Sequence, residues 1–129
     1  MDYGGAAKLI AAAQANGIAR YVMVSSRGAD PDAEGEGFAA YLRAKGRADA
    51  ELEASGLDHT IVRPVRLTDE PGTGAVEVAA PPSHPAAGEI PRADVAAVLA
   101  AVLGTPATVG RTFEVATGEV PVDDALASL

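Results

Sequence analysis

Apolar positions recur along this chain with two different periods, and the switches between them mark its elements. Ala6, Leu9, Ile10 and Ala13 fall at helical spacing, and Asn16-Gly17 supplies a stop, so the spacing predicts a helix over the first fifteen residues. "RYVMVSS" is a short β-branched run between polar residues and reads as a buried strand. "RGADPDAEGEG", with three glycines, a proline and four acids, is a loop by composition. A second helical pattern runs from Phe38 to Ser55 and is closed by Gly56. Gly46 inside it costs about 1 kcal/mol relative to alanine, which implies a close packing neighbour.

"HTIVRP" reads as a second buried strand ended by Pro64. Residues 68–91 are rich in proline and glycine, with one short strand at "AVEVA". "RADVAAVLAAVLG" predicts a third helix, "RTFEVA" a third principal strand, and "PVDDALASL" a last short helix with Pro121 in its first turn. Strands alternating with helices imply parallel pairing and an α/β layered domain. Three principal strands are few for a complete doubly wound nucleotide-binding sheet, which has two such halves, so the chain is expected to be one of them in a single domain over 1–129.

Composition narrows the chemistry. Eighteen Asp+Glu against ten Lys+Arg give a net charge of -8, which argues against nucleic acid or an anionic membrane as a partner, since both require a basic face. With no cysteine there is neither a thiol nucleophile nor a Cys-based metal site, and a cytoplasmic location is expected. The longest apolar run, Val95 to Gly104, is far shorter than the roughly 20 residues of a membrane span. Alanine supplies 29 of the apolar residues, so the core must rely on close packing of small aliphatics.

"GEGFAAYLRAK" contains two overlapping motifs. Gly35-x-Gly37-x-x-Ala40 has the spacing of a dinucleotide-binding turn, but that motif works only directly after a buried strand. Here an acidic loop with Asp30, Asp32, Glu34 and Glu36 precedes it, and those carboxylates would repel a diphosphate. Tyr41-x-x-x-Lys45 puts a phenol and an ammonium on one helix face. An ammonium beside a phenol favours the phenolate, and a phenol so placed can exchange a proton with a carbonyl oxygen. A serine hydroxyl at the end of the preceding strand could orient the same oxygen. Taken alone, such a pair is more often an ordinary exposed pair, and serines after a strand are ordinary turn formers.

The order of segments adds to this. "AAKLIAAAQANGIARYVMVSS", "YLRAK", "SGLDHTIVRP", "IPRADVAAVLAAVL" and "GRTFEVATGEVPVDDAL" together resemble the C-terminal part of atypical short-chain dehydrogenase/reductases, the NAD(P)H-binding, epimerase/dehydratase-like group. The resemblance implies a Rossmann-like half-sheet, a small carbonyl or alcohol substrate, and NADP or NAD as cofactor. It matches Tyr41, Lys45, Ser26 (with Ser25 second) and Asp2 to catalytic positions. It places Ser25, Tyr41, Lys45, Arg63, Pro64 and Val65 at the cofactor. Arg92 and Asp94 match a structural segment, read as a helix N-terminal charge and cap. Val65 stands where the family usually has glycine, which would narrow the nicotinamide side of the pocket.

The family's own glycine-rich turn would lie ahead of Met1, so the chain alone is expected to be inactive, with "RYVMVSS" left as an open sheet edge. A partner chain or a second copy would then pair with that edge. A non-catalytic NAD(P) sensor or an interaction fragment is the alternative. His59 reads as a packed or edge residue and His84 as a loop residue, and neither joins a metal-ligand spacing. Leu67 to Gly74 reads equally as a cover over a substrate or as a solvated turn. The acidic loop would disfavour anionic substrates.

Overall fold

A computed structural model describes residues 3–129. In chain order its elements are α1 (Tyr3–Ala15), β1 (Arg20–Val24), α2 (Phe38–Ala54), β2 (Asp58–Pro64), β3 (Arg66–Thr68), β4 (Ala75–Ala79), β5 (Glu89–Pro91), α3 (Arg92–Leu103), a 3-10 turn at Pro106–Thr108, β6 (Arg111–Thr117), β7 (Val120–Pro121) and α4 (Val122–Ala127). Five strands form one sheet in the order β1-β2-β6-β4-β7, and β3 and β5 form a separate parallel pair. β1, β2 and β6 are parallel, as alternating strands and helices require. β4 pairs antiparallel with both β6 and β7, so it alone in this sheet runs against the parallel strands among the described residues. The sequence pattern shows β4 but not β3, β5 or β7. Strands of two or three residues are too short to carry a period.

Side chains alternate across β2, so its two faces supply two cores. Ile61 packs with Ile10 of α1 and Leu52 of α2. Val62 faces the other way and joins Phe113, Val115, Val98, Val102 and Leu126 under α3 and α4. Helices thus cover both faces of the sheet, which is the doubly wound arrangement. At the base of the sheet the Arg20 guanidinium donates to Thr60 Oγ1 at 2.7 Å and Thr108 Oγ1 at 3.1 Å, and Thr60 donates to the Thr108 carbonyl at 2.6 Å.

β1 departs from the buried strand that its composition predicts. Its residues are half-buried, and Val24 is exposed. The reason is its position: among the described residues β1 pairs only with β2 and forms one edge of the sheet.

Asp94 also departs from its expected role. It is buried, and its carboxylate accepts hydrogen bonds from the amides of Thr73 and Gly74 at 2.9–3.1 Å, so it holds the turn into β4 rather than capping its own helix. Arg92 pairs with Asp69 on the surface.

Gly46 meets the expectation of a close neighbour. A Cβ there would overlap the backbone of Asp30 and Pro31. The acidic loop crosses α2 at this point, its Asp30 amide bonded to the Leu42 carbonyl at 3.1 Å. Arg43 of α2 donates to the carbonyls of Ala33 and Gly35, fixing the rest of the loop.

Candidate functional site

The carboxyl ends of β1 and β2 build the floor of a cleft. Beyond Val24 the pairing continues through Ser25 N to Val62 O at 2.7 Å and Arg27 N to Pro64 O at 3.1 Å. Val65 N then bonds Val115 O at 3.2 Å, which seats Val65 at the edge of the main core. Over this floor lies the start of α2. Together they enclose about 950 Å³, lined by residues that include Ser25, Ser26, Tyr41, Lys45, Pro64 and Val65.

Six of the residues marked out in the sequence therefore share one cavity. Tyr41 is half-exposed, with Lys45 Nζ 5.6 Å from its ring centre. Phe38 stacks with the tyrosine ring at 5.8 Å and 17°. The tyrosine thus neighbours a ring and an ammonium, each about one helical turn from it along α2. Ser26 Oγ donates to the Arg27 carbonyl at 3.2 Å, an exposed contact that leaves the hydroxyl oxygen able to accept or to turn toward a ligand.

Ser25 and Arg63 are placed differently. The Ser25 hydroxyl donates to Asp49 Oδ2 at 2.9 Å, and the Arg63 guanidinium donates to the same oxygen from Nε and Nη2 at 3.1 and 2.8 Å. Arg63 does not line the cleft; it meets Asp49 beneath it. Asp49 is 2% exposed and its Oδ1 has no hydrogen-bond partner among the described residues. Burial pushes its carboxyl above the ordinary carboxylate range, against the opposing pull of Ser25 and Arg63. Asp2 lies outside the described residues.

Sequence reasoning missed Asp49, although a signal was present. Tyr41, Lys45 and Asp49 are spaced by four, so an acid follows the pair along one helix face, between Ala48 and Ala50. It also missed Glu114, an acid inside the apolar strand "TFEVA", buried and bonded to His84 Nδ1 at 2.8 Å. His84 does lie in a loop, and it is the residue that covers this carboxylate.

The glycine motif does not form a phosphate turn. Residues 25–37 separate β1 from α2, and Gly37 is the helix N-cap with φ of 65°. Among the described residues no group of His, Asp and Glu side chains could hold a metal ion, and no helix is long and apolar enough to cross a membrane.

Comparison with known proteins bears on this geometry. Residues 2–106 match the family model described as NAD(P)H-binding. An uncharacterized sugar epimerase of Bacillus subtilis, YhfK, is 42% identical over all of this chain and 59% of its own length. A protein of Bacillus halodurans, provisionally named an NAD-dependent epimerase/dehydratase, superposes with a TM-score of 0.88 at 44% identity, covering 97% of this chain and 58% of that one. The oxidoreductase ylbE of Lactococcus lactis superposes at 0.81 with 31% identity over 97% of this chain and 58% of its own. The chain thus spans about three-fifths of the length of the relatives it matches.

Proposed function

The chain belongs to the NAD(P)H-binding family, and from that premise we propose that its cleft is the reactive end of an oxidoreductase or epimerase/dehydratase site acting on a small carbonyl or alcohol. The observation that carries this reading is the convergence of Tyr41, Lys45 and Ser26 on one cavity at the carboxyl ends of β1 and β2. Ligands in open α/β sheets bind at such strand ends. The donor set suits the nicotinamide and its ribose: an ammonium and a hydroxyl beside an apolar floor of Pro64 and Val65. When bound, the cofactor supplies a hydride to a carbonyl carbon or accepts one from an alcohol.

In this reading Tyr41 Oη holds the proton that passes to the carbonyl oxygen, or receives it in the reverse direction. Lys45 orients the ribose and keeps a positive charge beside the phenol. Ser26 holds the carbonyl oxygen, and Pro64 and Val65 exclude water from the reacting face. Ser25 and Arg63 act through Asp49 by fixing the position of α2 over the cofactor. NADP or NAD would serve equally at this end. The names carried by the relatives, an epimerase and an oxidoreductase, support the class and leave the substrate open.

Reduced nicotinamide mononucleotide tests the reading without a need for the rest of a dinucleotide site. It should perturb the amide signals of Ser26, Tyr41 and Lys45, and Lys45→Ala should weaken it about tenfold, as loss of a charge-assisted contact does. Tyr41→Phe should leave that binding intact, and in a protein reconstituted with a glycine-rich half it should remove hydride transfer. No perturbation at these residues at millimolar ligand, or full turnover by Tyr41→Phe, rejects the assignment. Because no glycine turn joins a strand to a helix among the described residues, NADPH should bind little more tightly than the mononucleotide. Micromolar NADPH binding would count against that part.

A second reading rests on the edge strand. Among the described residues β1 pairs on one side only, and beside it lies a groove of about 400 Å³ lined by Ala6, Leu9, Tyr21, Met23 and Ala48 among others. Association through this edge, with a second copy or another chain, would complete the sheet.

A further inference from the structure

The cleft sorts charge against the composition of the chain. Acids outnumber bases 18 to 10 overall, yet among the described residues Arg27, Lys45 and Arg66 line the cavity and no Asp or Glu does. The acidic loop that the sequence sets against anionic ligands reaches the cavity only through Arg27 and Gly28 at its start, and Phe38 follows it there. Its carboxylates lie elsewhere, because the loop docks its backbone on α2 at Gly46.

The three cations are not equivalent. Arg66 is exposed and already paired with Glu89. Lys45 sits against the Tyr41 ring. Arg27 is held at its root: its amide is fixed to the Pro64 carbonyl, and its Nε faces Glu114 Oε1 at 3.9 Å. Glu114 is itself buried and braced by His84 on the same oxygen. The two terminal nitrogens of Arg27 have no partner among the described residues, and the side chain is 41% exposed. A guanidinium with its backbone fixed, its Nε side facing a buried carboxylate beyond hydrogen-bond distance and its outer edge open can receive a carboxylate in two parallel hydrogen bonds. Phe38, Leu42 and Leu67 supply apolar wall to the same cavity.

We propose that Arg27 is the substrate's anion anchor, so that the cleft takes a carboxylate-bearing substrate with an apolar body. This rests on reading the cleft as a substrate site. The carboxylate docks on the Arg27 edge, the apolar portion lies along Phe38, Leu42 and Leu67, and the carbonyl to be reduced meets Tyr41 and Ser26. Glu114 and His84 act as positioning residues that aim the guanidinium.

The experiment needs neither cofactor nor turnover, so its failure is separate from failure of the nicotinamide assignment. The isotope-labelled full chain is titrated with 4-phenylbutyrate and, in parallel, with its neutral amide. The acid should bind about tenfold more tightly than the amide, with the largest shifts at Arg27, Gly28 and Phe38. Arg27→Gln, at an exposed side chain, should abolish that preference, Arg27→Lys should keep part of it, and Arg66→Gln should change it little. Equal affinity for acid and amide, no binding of either, or a preference that survives Arg27→Gln overturns the proposal. Inorganic pyrophosphate is the third ligand: if it binds at Arg27 more tightly than the carboxylate, the arginine serves a cofactor phosphate and the substrate assignment falls.

Discussion

The Ser25 hydroxyl donates to the Asp49 carboxylate at 2.9 Å, joining the end of β1 to the middle of α2. The same carboxylate oxygen takes the Arg63 guanidinium from the end of β2. One buried acid thereby fixes the helix that carries Tyr41 and Lys45 against both strands that form the cleft floor. Asp49→Ala should remove this tie and strand Arg63, destabilising the fold by about 1–3 kcal/mol. Urea unfolding monitored by circular dichroism measures it, and a midpoint unchanged from wild type would show that the tie is energetically idle.

Asp49 also predicts a pH dependence. Burial raises its carboxyl in the folded state above the value in the unfolded chain, with Glu53 adding to the rise and Ser25 and Arg63 opposing it. Between the two values the folded state binds more protons than the unfolded state. Its contribution to stability is therefore greatest below the ordinary carboxylate range and declines as pH rises through the raised folded value. The stability of wild type relative to Asp49→Asn should fall across that window. A difference that stays flat, or rises with pH, contradicts the burial-dominated shift.

Gly46→Ala separates local propensity from tertiary packing. Helix propensity alone would stabilise α2 by about 1 kcal/mol. The new methyl would instead overlap the backbone of Asp30 and Pro31, which cannot yield as a side-chain tip can. Net destabilisation of about 2 kcal/mol or more is expected, with the acidic loop displaced. A rise in melting temperature would mean that the loop does not cross the helix there.

Phe113 is fully buried among the residues packed under α3 and α4. Phe113→Ala should cost about 3–5 kcal/mol, because the surrounding small aliphatics cannot refill the space. Thermal or denaturant unfolding tests this, and a loss under 1 kcal/mol would show that the core collapses around the gap.

The open edge makes a prediction about association. Leu9 is 47% exposed on α1 and lines the groove beside β1. If this edge pairs with another copy, light scattering should show a concentration-dependent dimer that Leu9→Lys shifts toward monomer. A wild-type chain that remains monomeric at high concentration removes the self-association reading.

Period and punctuation in the sequence determined most of the framework. Helical spacing from Ala6 to Ala13, the β-branched runs before Ser25 and Pro64, and glycines at positions such as Gly56 and Gly104 are local signals, since each element must bury one face. They placed the four helices, β1, β2, β4 and β6, and they brought Tyr41, Lys45 and Ser26 into consideration. Only the tertiary structure decided what lies beside what. β3, β5 and β7 exist because neighbouring strands are there to pair with. Asp94 serves a turn twenty residues away rather than its own helix. Asp49, Glu114 and Arg27 gain their roles from partners 14 to 87 positions distant in sequence, and no spacing rule reaches that far. Side-chain periodicity records which face is buried; which charges meet across that face is set by the packing of strands and helices that the chain brings together only when folded.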